Sequence, residues 1–168
     1  MEIRPLDESD WPAVSAIYAE GIAGGNATFE VDVPSWERWD EAHPALRLVA
    51  ESGGEVVGWA ALSPYSDRRC YRGVAEESVY VAASVRGRGV GRALLDELIE
   101  RAEASGYWTL LAGVFPENEA SIALHESVGF RVLGVHEGLG ERGGVWRDVV
   151  LLERRWRSEA PNESAPPF

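Results

Sequence analysis

Two spacings of apolar residues alternate along the chain and predict its helices and strands. Apolar residues three or four positions apart mark an amphipathic helix over 90–105, whose other face carries acidic residues and arginines. The same spacing predicts helices over 12–21, 36–43 and 118–128. Ser35 and Asn118 stand where helix N-caps are expected, and Pro44 ends the second helix.

Shorter apolar runs bounded by glycine or proline predict the strands. They cover 3–6, 46–51, 56–62, 71–81, 108–114, 130–135 and 145–152, and a glycine-rich loop over 138–144 joins the last two. A hairpin precedes a strand–helix–strand crossover, so we expect an α/β fold with one mixed sheet and helices on both faces. We expect one domain over residues 1–157 and a disordered tail over 158–168.

The composition narrows the range of functions. The net charge is −12 and every basic residue is an arginine, which argues against a nucleic-acid partner. No apolar run approaches the ~20 residues of a membrane span, and Met1–Pro5 shows no signal-peptide pattern. The single cysteine, Cys70, fits a reducing cytoplasm, and three scattered histidines suggest no metal site. The use of arginine without lysine indicates either GC-rich codon usage or adaptation to high salt. The acidity favours a host with high salt.

The strongest functional signal is the loop over residues 86–92, Arg-Gly-Arg-Gly-Val-Gly-Arg. It joins the strand that ends at Val81 to the amphipathic helix, so backbone N–H groups and a helix N-terminus meet at one point. Arginines at three positions add positive charge to a protein that is otherwise acidic. This arrangement suits a ligand that carries a pyrophosphate.

Two common phosphate-binding loops do not fit these residues. A dinucleotide-binding site requires Gly-x-Gly-x-x-Gly at the first strand–helix turn and an acidic residue about 20 positions later. Here the glycines are at 87, 89 and 91 in the middle of the chain, and an apolar strand follows. A Walker loop requires a lysine, and the chain has none.

The pattern Arg86-x-x-Gly89-x-Gly91 resembles the acyl-CoA signature of the Gcn5-related N-acetyltransferases. Asn118 and the stretch from Leu124 to Phe130 resemble the second CoA-contacting helix of that family and the start of its next strand. The resemblance implies a mostly antiparallel sheet of about seven strands, with acetyl-CoA as the cosubstrate and no metal. The positions it implies for acetyl-CoA are Val79, Tyr80, Val81, Arg86, Gly87, Arg88, Gly89, Val90, Gly91, Arg92, Asn118 and Ser121.

A narrower resemblance, over about residues 2–153, is to the phosphinothricin and methionine-sulfone acetyltransferases. It rests on Tyr71-Arg72, Ser78–Val81, Leu124–Phe130 and Trp146-x-Asp148, with Ile17-Tyr18 and Thr28-Phe29 near the N-terminus. It implies acetylation of the amine of a small amino-acid-like substrate by direct attack on the thioester. The family is commonly dimeric, so the resemblance also implies a homodimer.

The resemblance implies two catalytic residues. Glu76 aligns with the carboxylate of this subfamily, and raising its pKa by burial would make it a better base for an ammonium group. Glu76 and Glu77 point to opposite faces of a strand, so at most one is expected to be catalytic. His125 replaces a tyrosine common in the superfamily, and an imidazole suits either acid–base chemistry or a contact with the CoA sulfur. The alternative is that His125 is a helix residue that only hydrogen-bonds a backbone group. A backbone N–H near Val81 is the expected oxyanion donor.

Three further residues are candidates for substrate binding. If residues 71–81 form one strand, Arg72 lies on the same face as Glu76. Its guanidinium could then bind a carboxylate through two parallel hydrogen bonds. Phe29 and Trp146 are candidates for an apolar wall. Two other functions stay open: acetylation of another kind of amine, such as a polyamine, an antibiotic or a protein, and acetyl-CoA sensing without catalysis.

Overall fold

The computed structural model describes residues 1–156 and forms one seven-stranded sheet with four helices. The predicted tail of residues 158–168 lies outside the described residues. The strands are β1 (Glu2–Pro5), β2 (Arg47–Ser52), β3 (Glu55–Pro64), β4 (Val74–Val81), β5 (Thr109–Val114), β6 (Arg131–Arg142) and β7 (Val145–Arg155). The helices are α1 (Trp11–Ala23), α2 (Trp36–Ala42), α3 (Val90–Ala104) and α4 (Glu119–Ser127). Short 3-10 turns span Glu8–Asp10, Arg69–Tyr71 and Ala83–Val85.

The sheet has the order β1-β2-β3-β4-β5-β7-β6 and is antiparallel at every pairing except β4–β5. The single parallel pairing follows from α3, which carries the chain from β4 back to the start of β5. The predicted mixed and mostly antiparallel sheet is therefore confirmed.

The helices cover both faces of the sheet, as predicted. On one face, α1 and α2 enclose a cluster that includes Val14, Trp39 and Trp59. On the other face, α3 inserts its apolar stripe, with Leu94, Leu95 and Leu98 fully buried, and α4 packs beside it. Burial of each such side chain contributes about 1.5–3 kcal/mol, so these two clusters hold the sheet in place between the helices.

Two predicted elements differ in the structure. The predicted strand over residues 71–81 begins only at Val74, because the chain before it turns into the 3-10 helix Arg69–Tyr71. The predicted loop over 138–144 is mostly strand, since β6 continues to Arg142 with an irregular register between His136 and Gly140. Only Gly143 and Gly144 form the turn, both with positive φ, which is typical of a tight hairpin.

The feature that creates a site is the short pairing between β4 and β5. The two strands are paired only from Val74 opposite Thr109 to Glu76 opposite Leu111. Beyond these residues they diverge, which leaves a gap in the middle of the sheet. We call this opening the gap.

Candidate active site

Strand β4 turns unpaired backbone groups toward the gap. The carbonyl of Gly73 accepts from the amide of Trp108 at 2.8 Å, so residue 73 points toward β5. Because backbone direction alternates along a strand, the amides of Glu77, Val79 and Val81 point the same way. Past Glu76 no β5 residue is opposite Val79 and Val81, so the N–H groups of both and the C=O of Val79 are available to an extended ligand, whereas the C=O of Val81 accepts from Arg86 Nε.

The glycine loop at the end of β4 depends on its glycines for backbone geometry. Gly87 and Gly89 have φ of 74° and 83°, a region that side-chain-bearing residues rarely adopt. Gly89 is the N-cap of α3, and the first N–H groups of a helix have no partner within it. At Gly91 a Cβ would lie 3.1 Å from the side chain of Leu124, so glycine there lets α3 and α4 approach closely. The loop therefore presents amides and the positive end of a helix dipole at one point.

A cavity of about 550 Å³, which we call the loop cavity, lies at this point. The sequence-predicted residues that line it are Val79, Tyr80, Val81, Arg86, Gly87, Gly89, Val90, Gly91, Arg92, Asn118 and Ser121. Arg88 is absent from its walls, and its backbone N–H donates to Val85 O at 3.3 Å. Arg86 donates from Nε to the carbonyl of Val81 at 3.2 Å, which binds the loop back onto the strand end.

The other wall of the loop cavity comes from α1 and the residues after it, which the sequence analysis did not predict. Glu20, Gly21, Gly24 and Asn26 lie there. At Gly21 a Cβ would lie 2.7 Å from the ring of Tyr80, so glycine lets α1 lie directly on β4. A glycine on an otherwise apolar helix face was the one available signal for this close approach.

A second cavity of about 650 Å³, which we call the inner cavity, meets both faces of the sheet at the gap. Glu76 and Glu77 point to opposite faces, yet both line it because the gap opens each face to it. Phe29 forms part of its wall and lies edge-on against Phe115, with the ring centroids 4.8 Å apart. Apolar side chains of the later strands complete it, namely Leu111, Leu133, Leu139, Val149 and Leu151.

Glu76 presents its carboxylate to the inner cavity on the α1 face of the sheet. Glu76 is exposed to solvent, but the cavity walls partly desolvate its carboxylate, and this desolvation, with the charge of Glu77 second, raises the pKa of Glu76 above its ordinary value. A Cβ on Gly113 would lie 3.8 Å from Glu76 Oε1 and 3.2 Å from Val149 Cγ1, so glycine keeps space open beside the carboxylate. A carboxylate with a raised pKa in a cavity is suited to accept a proton.

Glu77 and His125 form a buried pair on the α4 face. His125 Nε2 lies 2.5 Å from Glu77 Oε1, and each side chain is 2% exposed. The other ring nitrogen, Nδ1, lies 2.6 Å from the carbonyl oxygen of Ser121. Burial lowers the pKa of His125, but the hydrogen bond and charge of Glu77 raise it, and the net shift is upward. The sequence analysis treated Glu77 only as an alternative to Glu76 and did not predict this pair.

Residues 22–29, which we call the wall segment, separate the two cavities and are held by side chains from four other elements. Arg142 donates to the carbonyls of Ile22 and Gly25 at 2.7 and 2.9 Å. Arg147 donates to Gly25 O and Asn26 Oδ1, and its guanidinium lies 4.1 Å from the ring centroid of Phe115. The Asn118 amide donates to Asn26 O and the Tyr80 hydroxyl to Ala27 O.

Two predicted substrate residues lie elsewhere. Arg72 is not on β4, so the prediction that it shares a strand face with Glu76 is wrong. Its guanidinium lies 5.3 Å from the ring centroid of Trp108, outside the walls of both cavities. Trp146 is 69% exposed on β7 and lines a shallow outer groove with Arg147 and Glu117 rather than the inner cavity.

Residues 1–156 contain no group of three or more histidine, cysteine or acidic side chains that could hold a metal ion. In the same range, no helix combines the length and apolar character that crossing a bilayer requires.

Comparison with known proteins connects this geometry to one family. Residues 6–130 match the sequence model of the Acetyltransferase (GNAT) family. The chain is 39% identical to a phosphinothricin N-acetyltransferase of Alcaligenes faecalis, over 90% of this chain and 81% of that protein. It is 33% identical to an L-methionine sulfoximine/L-methionine sulfone acetyltransferase of Pseudomonas paraeruginosa, over 98% of both.

A solved structure shows the same arrangement of elements. It is a GNAT superfamily phosphinothricin acetyltransferase from Sinorhizobium meliloti in complex with AcCoA, with a TM-score of 0.90 and 31% identity, covering 99% of this chain and 95% of that one. The family match, the identities over nearly the whole chain and the shared fold all agree. The chain therefore belongs to the GNAT acetyltransferase family.

Proposed function

We propose that this protein is an N-acetyltransferase that moves the acetyl group of acetyl-CoA to the amine of a small amino-acid-like substrate. The observation that carries the proposal is the meeting of two cavities at the gap, one bordered by the glycine loop and the N-terminus of α3 and one containing a carboxylate with a raised pKa. Relatives that acetylate phosphinothricin, methionine sulfoximine and methionine sulfone support the substrate class.

The residues of the loop cavity fit acetyl-CoA. The amides of the 87–91 loop and the start of α3 suit the pyrophosphate, and Asn118 and Ser121 border the same cavity. The outward amides of Val79 and Val81 suit the amide groups of an extended arm. When bound, acetyl-CoA supplies the acetyl group as a thioester. The N–H of Val81 is our proposed donor to the oxygen that gains negative charge.

Glu76 is our proposed general base. An ammonium group must lose a proton before its nitrogen can attack, and Glu76 is the acidic side chain on the α1 face where β4 and β5 part. Its raised pKa brings it closer to the pKa of an amine, which favours proton transfer directly or through a water. We place His125 at the inner end of the same cavity, next to the cofactor's reacting end.

The inner cavity favours an amine that carries an apolar body. Glu30 and Glu76 line it together with Phe29 and leucines, and no arginine belongs to its described walls. The acidic group of an amino acid therefore has to point toward the mouth, where Tyr65 lies against Tyr71 with ring centroids 5.4 Å apart. We propose that the guanidinium groups of the 68–72 segment, including Arg72, attract that acidic group at the mouth.

We also propose a homodimer that forms through β6 and β7. Strand β6 is an edge of the sheet, and almost all of its side chains are exposed. The exposed apolar side chains there are Val132, Leu133, Val135, Leu139, Val145 and Trp146. A second copy suits this surface because an apolar edge strand needs a cover. Replacing Val135 by glutamate should give monomers in light scattering, and a persistent dimer would refute this surface.

Two further proposals concern the protein's environment. The exposed free thiol of Cys70 and the use of acetyl-CoA fit the cytoplasm. The net charge of −12 fits a host with high internal salt, because counterions would screen self-repulsion. If so, the melting temperature rises between dilute and molar salt, whereas an unchanged melting temperature would leave codon usage as the cause of the composition.

The experiment that tests the function is release of free thiol from acetyl-CoA over a panel of amines. The panel holds methionine sulfone, methionine sulfoximine, phosphinothricin, spermidine and a peptide with a free N-terminus. Turnover confined to the first three supports the proposal. Turnover only of the last two would keep the enzyme class but change the substrate, and acetyl-CoA binding without any turnover would favour a sensor.

A further inference from the structure

The proposed chemistry leaves open the role of the buried pair Glu77–His125 at the gap. Within residues 1–156 the buried polar or charged side chains are these two and Asp10, and Asp10 is bound by Arg4 far from the gap. Burying ionisable groups costs free energy unless they are paired, so a pair retained at the gap needs an explanation.

The hydrogen-bond partners of His125 limit where the protons of the pair can lie. The carbonyl of Ser121 can only accept, so Nδ1 at 2.6 Å must carry a hydrogen. The carboxylate of Glu77 also accepts, so Nε2 at 2.5 Å carries a second hydrogen while Glu77 is ionised. If that shared proton left, two lone pairs would face each other in a site closed to water. The pair therefore keeps its proton and is neutral as a unit.

Outside the pair itself, in which Glu77 Oε2 is buried with no hydrogen-bond partner among the described residues, the surroundings give the proton no strong acceptor. From β4, the only other acidic group is Glu76, which points to the opposite face. From β5, the cavity walls near the pair are Ala112 and Val114, and Phe130 lies edge-on to the imidazole at 5.2 Å between centroids. Ser121 Oγ is 3.4 Å from Nδ1, too far for a strong hydrogen bond.

The pair also joins the two elements that border the gap. Glu77 belongs to β4, next to the outward amide of Val79, and His125 belongs to α4. The first turn of α4 follows its N-cap Asn118, and both Asn118 and Ser121 line the loop cavity. The length of the Glu77 side chain therefore sets the distance between β4 and the part of α4 that borders the loop cavity.

We propose that Glu77 is a positioning residue that fixes α4 against β4 through His125, and that His125 acts there as a permanently doubly protonated anchor rather than as the proton donor of the reaction. This inference rests on the proposed function for its kinetic consequences but not for the protonation state of the pair. It replaces the acid–base role that the resemblance left open for His125 with a role in geometry.

The protonation state can be read without turnover. We would record the ¹⁵N resonances of the three imidazoles in the unliganded protein across a pH series and identify His125 from a His125→Gln variant. We expect both ring nitrogens of His125 to keep their hydrogens across the series, and the other two imidazoles in the same spectrum are internal references. Loss of the Nε2 proton of His125 in the same pH range would overturn the proposal.

Two substitutions at Glu77 distinguish the effect of side-chain length from the effect of side-chain charge. Glu77→Gln keeps the reach and can donate to a neutral imidazole, whereas Glu77→Asp keeps the charge but is one methylene shorter. We expect the Gln variant to retain kcat within about threefold, and the Asp variant to raise the KM for acetyl-CoA by about tenfold because α4 shifts. Glu126→Gln, an exposed change on α4, is the matched control and should behave as wild type.

The opposite pattern would refute the proposal. If His125 donates a proton, the Asp variant keeps kcat, the Gln variant loses it, and the alkaline limb of the pH profile moves to lower pH in Gln. If no amine in the panel is acetylated, the proposed function fails, while the ¹⁵N measurement still decides the state of the pair. The proposal would also be contradicted if Glu77→Gln kept the wild-type kcat while His125 of the wild-type protein lost its Nε2 proton in the ¹⁵N series.

Discussion

The loop cavity and the inner cavity share the gap between β4 and β5, but the chain forms them in different ways. The loop cavity is bordered by backbone: amides of β4, a loop with two glycines at positive φ, and the N-terminus of α3. The inner cavity is bordered by side chains from the wall segment, β4, β5, β6 and β7. In our proposal the first cavity binds acetyl-CoA and the second binds the amine substrate.

This difference between backbone and side-chain borders predicts which substitutions should impair each cavity. Backbone groups cannot be replaced one by one, so the loop cavity depends on the few glycines that permit its geometry. The inner cavity depends on the wall segment, whose carbonyls are held by Arg142, Arg147, Asn118 and Tyr80. Substitutions should therefore separate the affinity for acetyl-CoA from the affinity for the amine.

The largest expected effect is at the inner cavity. Glu76→Gln keeps the shape of the side chain but cannot accept a proton, so kcat should fall by about 10²–10⁴-fold. The KM for acetyl-CoA should stay within about twofold, because Glu76 is not among the residues that line the loop cavity. Steady-state kinetics with both substrates varied measures this separation, and Glu55→Gln at the exposed start of β3 is a control of the same chemistry.

The pH profile sharpens the same comparison. Glu76 must be ionised to act, so kcat/KM should rise with pH through a pKa above the ordinary carboxyl value. That acid limb should be absent in Glu76→Gln, while acetyl-CoA binding should show no matching limb. An acid limb that persists unchanged in the variant would mean that another group is the base.

The next largest effect is at the loop cavity. Gly89 has a φ of 83°, which costs a residue with a Cβ about 1–2 kcal/mol. Gly89→Ala should therefore weaken acetyl-CoA binding about 5- to 30-fold, measured by calorimetry, and leave the KM of the amine nearly unchanged. Gly53→Ala is a matched control, because Gly53 has a φ of 65° and open space around it but lies far from the gap. Equal losses of affinity in both variants would mean that global stability is responsible.

The same contrast explains what could be predicted from the sequence. Residues 86–91 are adjacent in the chain and follow a strand, so local spacing was enough to identify the loop cavity. The inner cavity joins residues near 29, 76, 133 and 149, and no local pattern links them. The placement of Arg72 failed because nothing in residues 69–72 signals the 3-10 turn that interrupts an apparent strand. The Glu77–His125 pair could not be predicted either, because it forms only when α4 packs on β4, and residue spacing along a strand does not reveal that packing.

A smaller effect is expected where the wall segment is fixed. Arg142→Gln removes two charge-assisted hydrogen bonds to the carbonyls of Ile22 and Gly25. The KM of the amine should rise about three- to tenfold, and the KM of acetyl-CoA should rise less, because Asn118 and Tyr80 still hold the next two residues. Arg131→Gln on the same strand removes only an exposed pair with Glu153 and is the control. If both KM values rose equally, the wall segment would serve the two cavities alike.

The smallest effect should come from charge at the loop cavity. Arg88 is exposed, lies outside the walls of the cavity and forms no ion pair within residues 1–156. It can therefore attract the phosphates of acetyl-CoA only through solvent, where exposed charges contribute about 0–1 kcal/mol. Arg88→Gln should raise the KM of acetyl-CoA about twofold in dilute buffer, and the difference should vanish in molar salt as the Debye length shortens to about 3 Å. A tenfold loss that survives molar salt would show that a side chain, and not the backbone of the glycine loop, governs recognition in this cavity.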